Sequence, residues 1–137
     1  MHKIMALDIG TKRIGVALSD FLHVLATGNC LVERTPEDKA VEKIKEIAKE
    51  NKAAKIIVGV PLNMDGTQGF QAEDCLQFAK NFQNDFEVIF EDERLTSEQA
   101  EENLRNRNID FRKNKGLVDI ESACIILEQY MSRLKKE

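Results

Sequence analysis

Ile4-Met5-Ala6-Leu7-Asp8-Ile9-Gly10-Thr11-Lys12-Arg13-Ile14-Gly15-Val16-Ala17-Leu18-Ser19 is the stretch that decides the fold. Its first six residues form a short apolar run that reads as a strand, interrupted by Asp8 near the carboxyl end. Gly10 to Arg13 is short enough for a hairpin connection. Beyond it, Ile14, Val16 and Leu18 alternate with the small residues Gly15, Ala17 and Ser19, the period of two that a strand requires. A third strand is expected within Val24 to Glu33, so the chain opens as a run of antiparallel strands.

The period then changes. Thr35-Pro36-Glu37-Asp38 offers a hydroxyl cap, a proline for the first helical position and acids for the first turn. Ala40, Val41, Ile44, Ile47 and Ala48 follow at helical spacing, and the helix should fade near Asn51. Lys55 to Val60 is a continuous apolar run suited to a strand covered on both faces. A second helix is expected after Asp65-Gly66, burying Cys75, Phe78, Ala79 and Phe82, and Phe86 to Phe90 reads as the next strand. Thr96 with Gln99 predicts a capping box for a third helix. The last helix places Ile120, Ala123, Cys124, Leu127, Met131 and Leu134 on one face. The order βββαβαβαα implies an α/β fold, with one mixed five-stranded sheet and helices on both faces. The first three strands are antiparallel in this reading, and residues 1–137 form a single domain.

A chain of 137 residues is one ordinary domain's length. With 42% hydrophobic and 32% charged residues it belongs with globular rather than disordered chains. No apolar run reaches the length of a membrane span, and the first residues lack signal-peptide architecture, so a cytoplasmic location without membrane contact is expected. Cys30, Cys75 and Cys124 contain no Cys-x-x-Cys pair, which argues against a zinc knuckle and leaves them as small buried hydrophobes. His2 lies at the terminus and His23 in a strand-like stretch. Catalysis, if present, must therefore rest on carboxylates.

Asp8 sits among apolar residues at a strand's end, where an ionised carboxylate is costly unless a metal or several donors compensate it. Glu91-Asp92-Glu93 follows the strand ending at Phe90, and three adjacent carboxylates there favour a cation in their midst. Asp119 opens the last helix, a place the helix dipole also favours for an acid without any function. Converging at one sheet edge, such hard oxygen ligands would suit Mg²⁺ or Mn²⁺, and two such ions can activate water for phosphodiester hydrolysis.

The net charge of −4 taken alone disfavours a phosphate-bearing partner. Locally the balance reverses. Arg105, Arg107, Arg112, Lys113 and Lys115 set five cations against Asp110, and Lys12 and Arg13 stand beside Asp8. The same residues would equally serve as a solvated loop. The loop Gly59 to Thr67 leaves a buried strand for a helix, the position where backbone amides gather an anion, with Asn63 and Thr67 as further donors. Its bland alternative is a strand-to-helix connection capped by Asp65.

These segments resemble the YqgF family, also called RuvX, within the RNase H-like superfamily. The resemblance rests on Ala6 to Ala17, on Val58 to Thr67, on Asp92 to Ser97, on Lys115 to Asp119 and on Ile125 to Tyr130. Members of that family are described as Holliday-junction resolvases and as pre-16S ribosomal RNA nucleases. The resemblance implies an RNase H-like fold and a metal-dependent nuclease acting on structured RNA or branched DNA. It places the family's metal-binding acids on Asp8, Asp92, Glu93 and Asp119, with Glu93 favoured over Asp92 as direct ligand and Asp8, Glu93 and Asp119 as the catalytic set. Arg94 joins the residues expected to meet nucleic acid. Unlike the better-known resolvase branch, the chain has no acid at the Val60-Pro61 strand end, so the second carboxylate must come from the following strand. Two other classes compete. Asp8-Ile9-Gly10-Thr11 also resembles the phosphate loop of actin-like and sugar-kinase ATPases, which close two domains around a nucleotide. A non-catalytic RNA-binding or transcription-associated module would keep the fold without the chemistry.

Overall fold

The computed structural model describes residues 1–135. Its elements run β1 (Lys3–Ile9), β2 (Arg13–Ser19), β3 (Ala26–Glu33), α1 (Glu37–Glu50), β4 (Ala53–Val60), α2 (Phe70–Ala79), a 3₁₀ turn (Lys80–Phe82), β5 (Glu87–Asp92), α3 (Thr96–Asn106) and α4 (Gly116–Leu134). The five strands form one sheet in the order β3-β2-β1-β4-β5. β1 to β3 are antiparallel neighbours, whereas β4 pairs in parallel with both β1 and β5. This is the mixed α/β sheet that the alternating opening and the later switch of period predict.

Alternation along β1 divides its residues between two cores. Met5, Leu7 and Ile9 face one side, where Ile44 and Ile47 of α1 and Cys75 and Phe78 of α2 cover them. Ile4 and Ala6 face the other side, against Ala123, Ile126 and Leu127 of α4. Asp8 continues the second row and so points to the α4 side. The buried residues of α4 spread beyond the single expected stripe to Ile125, Ile126 and Tyr130. The helix lies on the sheet, with α3 packed along its other flank. Gly15 is what lets it lie so close: a Cβ there would collide with the Asp119 carbonyl. Because Gly15 pairs with Asp8 across β1 and β2, the first turn of α4 is brought directly beside Asp8.

Several local expectations fail. Pro36, extended at ψ 146°, takes the position before α1, which leaves Thr35 too early in the chain to cap, and no side-chain cap forms. The capping box of Thr96 and Gln99 is absent as well. Leu95 in the left-handed region (φ 64°) precedes α3, and the Thr96 hydroxyl is buried without a partner. α2 begins at Phe70 instead of directly after Gly66, because residues 63–67 close a turn of their own. In that turn the Asn63 amide donates to the Thr67 carbonyl at 2.9 Å, and Asp65 Oδ1 accepts from the Thr67 amide and hydroxyl at 3.0 and 2.6 Å. Asp65 is thus a turn former and not a helix cap. His23 lies in a turn with φ 58°, not in a strand. Cys75 and Cys124 are buried as expected, while Cys30 is only half-buried.

Candidate active site

A pocket of about 190 Å³ opens where the carboxyl ends of β1, β4 and β5 meet the first turns of α2, α3 and α4. Asp8, Glu93 and Asp119 all line it, together with Gly10, Thr11, Pro61, Gln71, Asp74 and Ser97. Strand alternation explains which acid of the Glu91-Asp92-Glu93 run arrives there. Glu91 lies on the α4 side of β5, Asp92 projects from the opposite side, and Glu93, the first residue past the strand, returns to the α4 side beside Gly59. Asp92 is exposed, accepts from Arg94 Nε at 2.8 Å and from the Arg94 amide at 3.0 Å, and does not line the pocket. The three adjacent carboxylates therefore do not surround a common point: Asp92 stands outside the pocket that Asp8, Glu93 and Asp119 line. Period two separates what adjacency in sequence had joined.

Glu93 reaches Asp8 across β4, and the residue beneath it is Gly59. A Cβ at that position would stand 2.9 Å from the Glu93 carboxyl carbon and from Oε2. The two carboxyls lie together in the pocket, and each acts on the other's affinity for its proton. Burial is the main reason that both stay protonated above the ordinary carboxylate range. For Glu93 the charge of Asp8 adds to the effect, and Asp119 raises both further. Neither acid forms an ion pair with any lysine or arginine among the described residues. Two half-buried carboxyls held together without a cation form a hard-oxygen donor set that fits a divalent metal better than any contact the protein itself supplies.

Asp119 differs. Arg13 Nε donates to its Oδ2 at 2.5 Å, and this ion pair joins the start of β2 to the first turn of α4. Among the described residues no three carboxylate, histidine or cysteine side chains converge closely enough to hold one ion as they stand. Asp8, Glu93 and Asp119 share a pocket, but Asp119 is held by Arg13.

The expected nucleic-acid contacts fall into three groups. Lys12, Lys113 and Lys115 are exposed. A groove lined by Arg13, Ser97, Glu101, Phe111, Arg112, Lys115 and Asp119 runs on from the acidic pocket, sharing Ser97 and Asp119 with it. Arg107 and Arg112 are engaged by Glu121 at 2.5 Å and by Asp110 at 3.1 Å, and Arg105 stacks 5.8 Å from the Phe111 ring centre. Asn63 and Thr67 bond to each other at 3.0 Å, and Arg94 reaches the Met64 carbonyl at 3.0 Å, so these three tie the β4–α2 loop to β5.

Arg34 was not anticipated. It is 8% exposed, grips Asp74 through two nitrogens at 2.9 and 3.0 Å, donates to the Gly10 carbonyl at 2.8 Å and lies 4.7 Å from the Phe78 ring centre. Asp74 lines the pocket, and Arg34 compensates its charge there. Nothing local in Glu33-Arg34-Thr35 signals a buried arginine. Its partners lie 24 and 40 residues away in sequence.

A family model described as RuvX, Holliday junction resolvase, matches residues 2–133. A protein of Crocosphaera subtropica named "Putative pre-16S rRNA nuclease" is 42% identical over 137 residues, covering 97% of this chain and 96% of its own. One of the same name from Trichormus variabilis is 41% identical over 129 residues, covering 93% and 85%. Among solved structures, the Fowlpox virus resolvase in complex with Holliday junction DNA superposes with a TM-score of 0.61 at 17% identity, over 96% of this chain and 98% of that one. RuvC of Thermus thermophilus with a Holliday junction substrate gives 0.56 at 14% identity, over 98% and 96%. At these identities the structural matches speak for the fold.

Proposed function

The chain belongs to the RuvX family of Holliday junction resolvases, and from that membership we propose that it hydrolyses phosphodiester bonds of structured nucleic acid with divalent metal held at Asp8, Glu93 and Asp119. The observation that carries this reading is the Asp8–Glu93 pair, two half-buried carboxyls brought into one pocket from β1 and from the end of β5 with no cation of the protein's own between them. When bound at these oxygens, Mg²⁺ or Mn²⁺ supplies water activation and neutralises charge on the leaving oxygen. The chain's own residues do the rest. Asp8 and Glu93 would give up their protons to become ligands. Arg13 and Lys115 meet the phosphate backbone along the groove, and Arg112, Lys113, Arg105 and Lys12 extend that cationic surface. Asn63, Thr67 and Arg94 act at one remove, holding the β4–α2 loop beside the pocket.

Two substrates share the chemistry: the 16S ribosomal RNA precursor named for the curated relatives and the four-way DNA junction named for the family. The test is cleavage mapping on both, with Mg²⁺, with Mn²⁺ and with chelator, for wild type and Asp8→Asn. Metal-dependent scission of at least one substrate, lost in Asp8→Asn, is expected. Binding without scission of any substrate under any metal would favour the non-catalytic module.

A further inference from the structure

We infer that Arg13 is a latch that exchanges Asp119 for a substrate phosphate, so that nucleic acid completes the metal site. The inference rests on the reading of Asp8, Glu93 and Asp119 as the metal-binding set. It starts from the one acid of the three that is already partnered. Arg13 Nε is 2.5 Å from Asp119 Oδ2, while Asp8 and Glu93 have only each other.

The arginine's backbone is pinned. The Gly10 amide donates to the Arg13 carbonyl at 2.9 Å, and Arg34 grips the same turn from outside, its amide on the Lys12 carbonyl at 3.0 Å and its guanidinium on the Gly10 carbonyl at 2.8 Å. A fixed backbone leaves the side chain as the moving part. A guanidinium carries five N–H donors in a planar fork, and Asp119 uses the one on Nε. The side chain is 36% exposed and lines the groove with Phe111, Arg112 and Lys115, so a phosphodiester following that groove meets the remaining donors. Phosphate matches the fork in two-point geometry and competes for the same group. When Arg13 turns to phosphate, Asp119 loses its cation within a pocket that Asp8 and Glu93 also line. Its oxygens then become available to a divalent cation. Linkage requires the converse: a cation at Asp119 frees Arg13 and tightens nucleic-acid binding. Arg13 is thus a positioning residue whose contact keeps the site incomplete until substrate arrives.

The test is a double-mutant cycle on the metal-free full chain. Mn²⁺ alone is titrated into wild type, Arg13→Gln, Asp119→Asn, the double variant and Asp8→Asn, with bound ion read by electron paramagnetic resonance. Arg13→Gln should bind Mn²⁺ roughly five- to tenfold more tightly than wild type, and the same change should have no effect in the Asp119→Asn background. A gain that persists in that background makes Arg13 a through-space charge and overturns the latch. Equal affinity for wild type and Arg13→Gln, with binding weakened in Asp8→Asn, overturns the latch and leaves the metal reading standing. No Mn²⁺ binding by any variant overturns both. A second arm keeps the inference testable should Arg13→Gln fail to fold. In chelator, where nothing is cleaved, Asp119→Asn should bind a four-way DNA junction more tightly than wild type. The gain should exceed that of Asp8→Asn, which removes a carboxylate from the same pocket without touching Arg13. Equal gains from the two substitutions would also overturn the latch.

Discussion

Glu91 and Glu93 stand two residues apart on the same side of β5, and burial raises the pKa of both, yet their surroundings are opposite. Glu91 is 4% exposed and lies against Arg133 near the end of α4, whose charge offsets part of the cost of burial. Tyr130 and Lys55 continue this small polar network, with Lys55 Nζ 2.7 Å from the tyrosine oxygen and 3.5 Å from Glu87. Glu93, two residues on and just past the strand's end, meets Asp8. The first acid has a partner that makes it part of the scaffold. The second has a partner that makes it worse off, and only a proton or an external cation relieves it. Burial is common to both, so it is the sign of the neighbour that separates structure from chemistry here.

The largest effect that probes this contrast is on cleavage. Glu93→Gln or Asp8→Asn should lower metal-dependent scission by roughly 10²–10³-fold or more, the scale of removing a group that stabilises transition-state charge. Glu91→Gln should leave the rate within about twofold of wild type. Single-turnover rates at saturating Mg²⁺ decide it, and a comparable loss in Glu91→Gln would break the distinction. Stability should reverse the order. Arg133→Ala strands a buried Glu91 oxygen and should cost about 1–3 kcal/mol by denaturant unfolding. Asp8→Asn in chelator should match or exceed wild type, because it removes repulsion.

The pH dependence sharpens the same point. In the metal-free protein Asp8 and Glu93 hold their protons more tightly folded than unfolded. Their contribution to stability is therefore fully present below the ordinary carboxylate range and is lost as pH rises through the raised folded values. Melting temperatures in chelator should fall across that window. Mg²⁺ should flatten the slope by replacing the proton, and Asp8→Asn should shrink it, whereas Glu91→Gln should change it less because Arg133 already opposes the shift there. An unaltered slope in Asp8→Asn would remove the pair as its source. The smallest effect is electrostatic. Neutralising Arg112, Lys113 and Lys115 together should reduce the slope of log affinity against log salt by about one for each phosphate left without its cation. Arg112, already held by Asp110, should contribute least. An unchanged slope would make the segment a solvated loop.

Much of the fold was legible because it rests on short-range periodicity. The hairpin of Ile4 to Ser19, the apolar run into Val60 and the helical faces of α1 and α4 each need only neighbours within a few residues to declare themselves. The helix starts were less legible. Thr35 and Thr96 carry cap chemistry, but backbone geometry at Pro36 and Leu95 takes the cap position from them. The separation of Glu93, which lines the pocket, from Asp92, which does not, follows from strand alternation once β5 is seen to run through Asp92.

The sequence by itself determined the βββαβαβαα order, the placing of Asp8 at a strand's end and the cationic character of the stretch leading to α4, since composition and period act over a few residues. Only the tertiary structure decided which charges meet. Arg13 finds Asp119 across 106 residues, Arg34 is buried on Asp74 across 40, and Glu91 and Glu93 receive opposite neighbours from one helix and one strand. Such pairings depend on how the sheet brings its strands together and on how closely Gly15 and Gly59 let other groups approach it. No local pattern encodes a partner that folding must deliver from the far end of the chain.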